Sequence, residues 1–234
     1  MRGLRTALTA IVTAALAITT LAAPAAGVDL SKPTIVVVNG IPGTKLDICI
    51  NGREIRSGLR YGGQRWKQLR ASQKVLKVYK KDPRRCRGRL VARRRFDLLP
   101  DAKLTIVITS NRPGKVVIFD NRPLTLHHSY AWRHAGELGV EFLISAWDLF
   151  LEDLGIDPMK PASQTWRKGD SYSSAWVPGY AYRVRAVRPG TAVSMAGSRI
   201  IEDLHFISIE WIFLGTARRN TRFVLVAWPV LDAF

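Results

Sequence analysis

The sequence predicts an all-β protein that consists of tandem antiparallel β-sandwich domains of the Ig-like type behind an N-terminal signal peptide. Three observations predict this class. Short runs rich in Val, Ile and aromatic residues recur along the chain, turn signals with Gly, Pro or Asn separate them, and their order repeats in the second half. Short strands at such regular spacing are typical of a sandwich rather than of a βαβ fold.

Residues 1–26 have the pattern of a secretory signal peptide. Arg2 and Arg5 provide a positively charged start, residues 7–21 form an apolar run, and small residues follow as at a cleavage site. We therefore expect a secreted or cell-surface protein without a transmembrane segment after signal removal. No later apolar run reaches the roughly 20 residues that a spanning helix needs. An uncleaved membrane anchor is the alternative.

The composition is strongly basic. The chain has 36 Lys and Arg against 18 Asp and Glu, a formal net charge of +18. Removing the signal peptide takes away two arginines and no acid, which leaves 34 against 18, or +16. Such a charge favours anionic partners, among them acidic or phosphate-bearing polymers of the cell wall or the extracellular matrix. Solubility in the host's own surroundings explains the charge equally well.

The first predicted sandwich domain covers residues 33–121. Two of its runs alternate apolar with charged residues, as strands with one buried and one solvated face do. The predicted strands are 34–38, 46–50, 74–79, 89–96, 103–109 and 115–120.

The second predicted domain covers residues 124–231 and repeats the order of the first. The runs of the two domains match in sequence, with Asn39 opposite His128 and Gly62 opposite Gly169. No single match is strong, and the shared order of the matches is what predicts two copies of one domain.

The first copy resembles a known family through T-I-V-V-V-N-G-I-P-G, L-D-I-C-I-N-G, G-L-R-Y-G-G and R-R-C-R-G. These segments are similar to those of the domain of unknown function 4397 family, which are exported bacterial β-sandwich modules, often in tandem. The family usually has a histidine where Asn39 stands, and His128 holds that position in the second copy. The resemblance implies a fold and an extracellular location, and it implies no reaction.

The chain has two cysteines, Cys49 and Cys86. In an exported chain an even number of cysteines predicts a disulfide. This bond would close a loop of 37 residues and stabilise the fold by about 3–4 kcal/mol through restriction of the unfolded chain. A nucleophilic thiol is the less favoured alternative, because no histidine lies between the two cysteines.

The sequence has no signature of catalysis or of cofactor binding. The loop at residues 40–45 lacks the glycine and the hydroxyl that flank the lysine of a phosphate-binding loop, and no Gly-x-Ser-x-Gly occurs. The four histidines show no metal-ligand spacing. We therefore predict a noncatalytic protein without a cofactor or metal. A surface-glycan hydrolase that uses carboxylates of the second domain is the alternative.

Basic residues are concentrated between the first glycine turn and Phe96, with Tyr61, Trp66 and Tyr79 among them. Basic side chains with interleaved aromatic rings can bind anionic polymers, although strands that place Lys and Arg on a solvated face produce the same pattern. The candidate anion-binding residues are Lys80, Lys81, Arg84, Arg85, Arg87, Arg89, Arg93 and Arg95.

An insertion at about residues 146–163 is expected in the second domain, because the offset between matched residues grows along the chain. Its apolar residues follow helical spacing, which predicts a short helix that caps the open end of the second sandwich. A protein-docking patch, as in an adhesion or assembly protein, is the alternative. The candidate docking residues are Trp147, Phe150, Leu151 and Leu154.

The predicted function is that of an exported noncatalytic binding or structural module, at the cell surface or in the extracellular medium. Anionic wall or matrix polymer is the expected partner, with a protein partner expected only if the insertion is a docking site. No specific nucleic acid is expected.

Overall fold

The computed structural model describes residues 29, 31–109, 116–126, 129–136, 138–147, 165–166, 168–175, 181–191, 194–200, 207–215 and 220–229. The predicted signal peptide lies outside these residues. Where it is described, the chain is all-β, and its one helix, α1, spans Arg122–Leu126. No helix in this part of the chain is long and apolar enough to cross a membrane.

The first eight strands are β1 (Thr34–Asn39), β2 (Leu46–Ile50), β3 (Arg53–Leu59), β4 (Gln64–Gln68), β5 (Ser72–Lys80), β6 (Leu90–Leu98), β7 (Lys103–Ile108) and β8 (Val116–Asp120). They form two four-stranded sheets with the orders β4-β1-β7-β8 and β3-β2-β5-β6. Six of these strands agree with the predicted ones, whereas β3 and β4 lie in polar sequence where no strand was predicted.

The other eight strands are β9 (Ser129–His134), β10 (Val140–Trp147), β11 (Thr165–Trp166), β12 (Ser171–Ala175), β13 (Ala181–Val187), β14 (Ser194–Ile200), β15 (Ile207–Leu214) and β16 (Arg222–Pro229). Their two sheets have the orders β12-β9-β15-β16 and β11-β10-β13-β14. Each order is that of a sheet in the first set with every strand number advanced by eight.

Two of the four sheets are not wholly antiparallel. β1 pairs in parallel with β7, and β9 pairs in parallel with β15. The prediction of antiparallel sheets was therefore wrong for these pairs. In each set of eight strands, the seventh strand pairs with the first on the side away from the fourth and runs in the same direction as the first. Such a parallel pair is typically buried on both faces, which explains the unbroken apolar runs of β1 and β7.

The sheet β4-β1-β7-β8 lies between two hydrophobic clusters. On one face, Ile35 and Ile106 pack with Ile48 and Leu76 of the sheet β3-β2-β5-β6, which we call the first outer sheet. On the other face, Val36 and other residues pack against the sheet β12-β9-β15-β16. We call these two contacting sheets the inner sheets. The residues that the two inner sheets bring to this second cluster include Val38, Val107, Phe119, Ala131, Ile212, Val224, Val226 and Trp228.

The turn before β4 and the turn before β12 have the same backbone hydrogen bonds. Gly62 N donates to Asn39 O and Gly169 N donates to His134 O, both at 2.7 Å, and both glycines have positive φ, +69° and +97°. These bonds make His134 the counterpart of Asn39, so the assignment of that place to His128 was wrong. His128 lies outside the described residues.

The predicted helix of the insertion does not begin at Trp147, because Trp147 is the last residue of β10. Hydrogen bonding in the β10–β13 ladder, where Trp147 pairs with Ala181, extends the strand to that point. Residues 148–164, which hold the rest of the predicted insertion, lie outside the described part of the chain.

Candidate functional site

The candidate site is the loop of residues 81–89, which joins β5 to β6 and which we call the arginine loop. The loop folds back over the outward face of the first outer sheet. Asp47 and Cys49 point to this face, because they alternate along β2 with Leu46, Ile48 and Ile50 of the core. Both residues are nevertheless completely buried.

Asp47 holds the start of the arginine loop and the adjoining strand. Its Oδ2 accepts a hydrogen bond from the backbone N of Asp82 at 3.0 Å. Its Oδ1 accepts bonds from Ser57 Oγ at 2.8 Å and from Gly58 N at 2.9 Å. A buried carboxylate with three donors satisfies its hydrogen-bonding needs without a basic partner. Asp47 therefore ties the loop to both β2 and β3.

The predicted disulfide between Cys49 and Cys86 is confirmed, with 6.0 Å between the two Cα atoms. It fastens the middle of the arginine loop to the central strand β2. Arg85 and Cys86 have positive φ, 48° and 30°, which gives the loop a tight turn at this point. The loop is thus fixed at its start by Asp47 and at its middle by a covalent bond.

Two arginines of the loop already have carboxylate partners. Arg84 Nε and Nη2 donate to Asp82 Oδ1 and Oδ2 at 3.1 and 3.3 Å, and this hydrogen bonding lowers the pKa of Asp82 and raises that of Arg84. Arg85 Nε lies 4.0 Å from Glu54 Oε2, a buried oxygen without a hydrogen-bond partner in the described part of the chain. Both guanidinium groups remain mostly exposed.

The outward face of the hairpin β5–β6 continues the basic surface. Arg93 and Arg95 alternate along β6 with Ala92 and Phe96, which pack into the core. Arg93 lies opposite Lys77 of β5 in the ladder. Since alternate residues of a strand lie about 6.6–6.8 Å apart, the two arginines form a short row along β6.

All the predicted anion-binding residues are exposed. Arg93 and Arg95 lie on the outward face of the first outer sheet, and the disulfide at Cys86 holds the middle of the arginine loop over the same face. The sequence interpretation missed Asp47 and Glu54 as partners of the loop, although an acid at an alternating position of the apolar run L-D-I-C-I was the signal for Asp47. The exposed residues are Lys80, Lys81, Arg84, Arg85, Arg87, Arg89, Arg93 and Arg95.

The predicted docking residues are not brought together by any described element. Trp147 is the last residue of β10, and its side chain is outside the described part of the structure. Phe150, Leu151 and Leu154 lie wholly outside it. Where the chain is described, no group of three or more His, Cys, Asp or Glu side chains could hold a metal ion.

A second polar constellation, which the sequence did not predict, lies between the inner sheets. Glu210 of β15 is completely buried there. Its Oε2 accepts hydrogen bonds from Thr105 Oγ1 at 2.6 Å, Asn121 Nδ2 at 3.0 Å and Trp228 Nε1 at 3.1 Å. Its Oε1 lies 3.4 Å from Arg133 Nε. The lone acid of the apolar run I-S-I-E-W-I was the sequence signal for this site.

Arg133 joins Glu210 to the first inner sheet. Its Nη2 donates to Asn121 Oδ1 at 2.9 Å, and its guanidinium lies 5.3 Å from the ring centre of Phe119. Burial raises the pKa of Glu210, whereas the charge of Arg133 and the hydrogen bonds from Thr105, Trp228 and Arg133 oppose that rise. The constellation is closed to solvent and every oxygen of its carboxylate is bonded, which suits a structural role.

No protein-family model matches the chain. No curated protein sequence matches it either. Among solved structures, the chain is similar to a carbohydrate-binding module of family CBM26 from Eubacterium rectale Amy13K, solved in complex with maltoheptaose. The match covers 86% of this chain and 99% of that one, with 8% sequence identity and a TM-score of 0.25.

Proposed function

We propose that the protein is an exported, noncatalytic binding or structural module whose basic face contacts an anionic polymer of the cell wall or extracellular matrix. The observation that carries this proposal is the arginine loop. It displays exposed cationic side chains on a backbone that Asp47 and the disulfide hold in one conformation. A site that is ordered before binding loses less conformational entropy when a ligand arrives.

The charge balance of this face supports an anionic ligand. In the described part of the chain, Arg87, Arg89, Arg93 and Arg95 are exposed and have no carboxylate within ion-pair distance. The net charge of +16 after signal removal, from 34 Lys and Arg against 18 Asp and Glu, adds a long-range attraction for polyanions. Exposed guanidinium groups bind phosphate, sulfate and carboxylate groups through paired hydrogen bonds.

We also propose that the chain carries two tandem copies of one sandwich module, related to the domain of unknown function 4397 family. The support is the repeated strand order, advanced by eight strands, together with the matching turns at Gly62 and Gly169. An extracellular location is supported by the predicted signal peptide and by the disulfide, since such bonds persist in oxidising compartments.

The test is retention of the purified, exported protein on a sulfated or phosphate-bearing resin as salt is raised. If about four basic side chains contact the polymer, affinity should fall about 50-fold between about 50 and 200 mM salt. A noncharged resin of the same matrix is the control. Equal retention at both salt concentrations would contradict the proposal.

A further inference from the structure

The arginines of the basic face have two different electrostatic surroundings. Arg84 and Arg85 lie beside Asp82 and Glu54, which the loop and β3 hold in place. A ligand anion must therefore compete with a carboxylate for each of these guanidinium groups. The gain from such an exchange is small, because one ion pair replaces another.

Arg93 and Arg95 have no such competitor in the described part of the chain. They lie on one side of an edge strand, next to Lys77 on β5, and both are exposed. Asp97, the next residue on the same side of β6, marks the end of this row. Arg87 and Arg89 of the arginine loop are likewise exposed and without a carboxylate partner among the described residues.

Resting on the proposed function, we propose that the basic residues divide into a carboxylate-paired set and a binding set. Arg84 pairs with Asp82 inside the arginine loop, and Arg85 lies beside Glu54 of β3. Arg87, Arg89, Arg93 and Arg95 contact the ligand, an extended polyanion that lies along β6. Anionic groups spaced along such a chain meet Arg93 and Arg95 in turn, because the two side chains point the same way from one strand.

The division makes sharply different predictions for two double variants with the same net charge. Arg93→Gln/Arg95→Gln removes two members of the binding set, and Arg84→Gln/Arg85→Gln removes the carboxylate-paired set. The disulfide and the Asp47 bonds remain in both variants, so the arginine loop stays attached to the sheet. Thermal unfolding of each variant checks that the fold is retained.

The probe is a fluorescein-labelled oligothymidylate, used as a flexible phosphodiester polymer, with binding followed by anisotropy at several salt concentrations. Arg93→Gln/Arg95→Gln should reduce the slope of log affinity against log salt by about 1.4 and weaken binding about tenfold or more. Arg84→Gln/Arg85→Gln should leave the slope within about 0.3 of that of the unmodified protein.

The outcomes separate this inference from the proposed function. If the unmodified protein does not bind the probe in a salt-dependent way, the proposed function fails. If it binds and the two double variants lose affinity and slope equally, only net charge matters, and the division between the two sets is overturned. If Arg84→Gln/Arg85→Gln is the weaker binder, the assignment of the two sets is also overturned.

Discussion

The two inner sheets share one strand order but carry different side chains where they meet. Equivalent positions follow from the parallel ladders, in which Asn39 pairs with Ile108 and His134 with Phe213. The second sheet contributes a charged pair and an indole, whereas the first contributes an apolar and two neutral polar residues. The equivalent pairs are Val38 and Arg133, Thr105 and Glu210, and Asn121 and Trp228.

This difference makes the contact between the inner sheets specific for unlike partners. Thr105 and Asn121 of the first sheet donate to Glu210 of the second. A contact between two identical copies of the second sheet would instead bring two buried carboxylates together, and like charges in a buried site repel strongly. The difference at a few equivalent positions thus favours contact between the two unlike sheets.

The largest expected effect on stability comes from removing one partner of the buried ion pair between Arg133 and Glu210. Glu210→Leu leaves Arg133 without its carboxylate, and loss of one partner of a buried ion pair costs about 3–5 kcal/mol of unfolding free energy. Replacement of both residues, Glu210→Leu with Arg133→Met, should recover part of this loss, because no buried charge remains while the donors of Thr105, Asn121 and Trp228 still lose their acceptor. Urea denaturation of both single variants and the double variant measures the coupling. A double variant no more stable than Glu210→Leu alone would refute this role for the pair.

A smaller effect on stability is expected at the first residue of each of the two loops that follow β1 and β9. Gly40 N donates to Ile108 O, and Ala135 N donates to Phe213 O, so these residues are equivalent. A Cβ on Gly40 would lie 2.6 Å from Ile108 O. Gly40→Ala should therefore cost about 1–3 kcal/mol through overpacking, and the reciprocal Ala135→Gly about 1 kcal/mol. Denaturant unfolding measures both, and a fully stable Gly40→Ala would show that the two loops are interchangeable.

The smallest effect concerns Asn39 and His134, the equivalent residues at the ends of β1 and β9. Burial lowers the pKa of His134 below its ordinary value of 6.5, and the hydrogen bond to the backbone of Leu138, followed by the charge of Asp170, opposes the shift. The neutral imidazole is therefore favoured by folding, and this contribution is present above pH 6.5 and is lost as the pH falls through the lowered pKa.

His134→Asn, which copies the first sheet, should flatten the loss of stability on the acid side. The difference in slope cannot exceed about 1.4 kcal/mol per pH unit, the limit for one proton. The raised pKa of Glu210 makes stability change with pH in the opposite sense to His134. Because Glu210 is present in both proteins, the comparison with the unmodified protein isolates the effect of His134. Parallel curves of unfolding free energy against pH would contradict the assignment.

Strands with strong apolar character were predictable from the sequence, whereas polar edge strands were not. The runs 34–38 and 46–50 differ from the observed β1 and β2 by at most one residue. β3 and β4 are edge strands whose mostly polar residues are exposed or half-buried, and local propensity does not distinguish such segments from turns. The parallel pairing of β1 with β7 depends on the path of the whole chain, which no local pattern contains.

The candidate site was predictable in composition but not in detail. Net charge and residue type identified the basic stretch, because exposed Lys and Arg need no partner in the fold. Which arginine meets a carboxylate depends on the turn at Arg85 and Cys86 and on the distance from Glu54, and both are consequences of tertiary packing. The hydrogen bonds that Thr105 and Asn121 donate to Glu210 likewise depend on the contact between the inner sheets.

The burial of β1 on both faces has a consequence for the order in which the chain folds. Its parallel partner β7 begins only at Lys103, and much of the cover for Val36 and Val38 comes from β15 and β16, the second of which ends at Pro229. During synthesis β1 therefore obtains all of its packing partners only when nearly the whole chain has been made. Such long-range contacts slow folding. A chain cut after β8 would expose the apolar face of a finished sheet, a surface prone to aggregation.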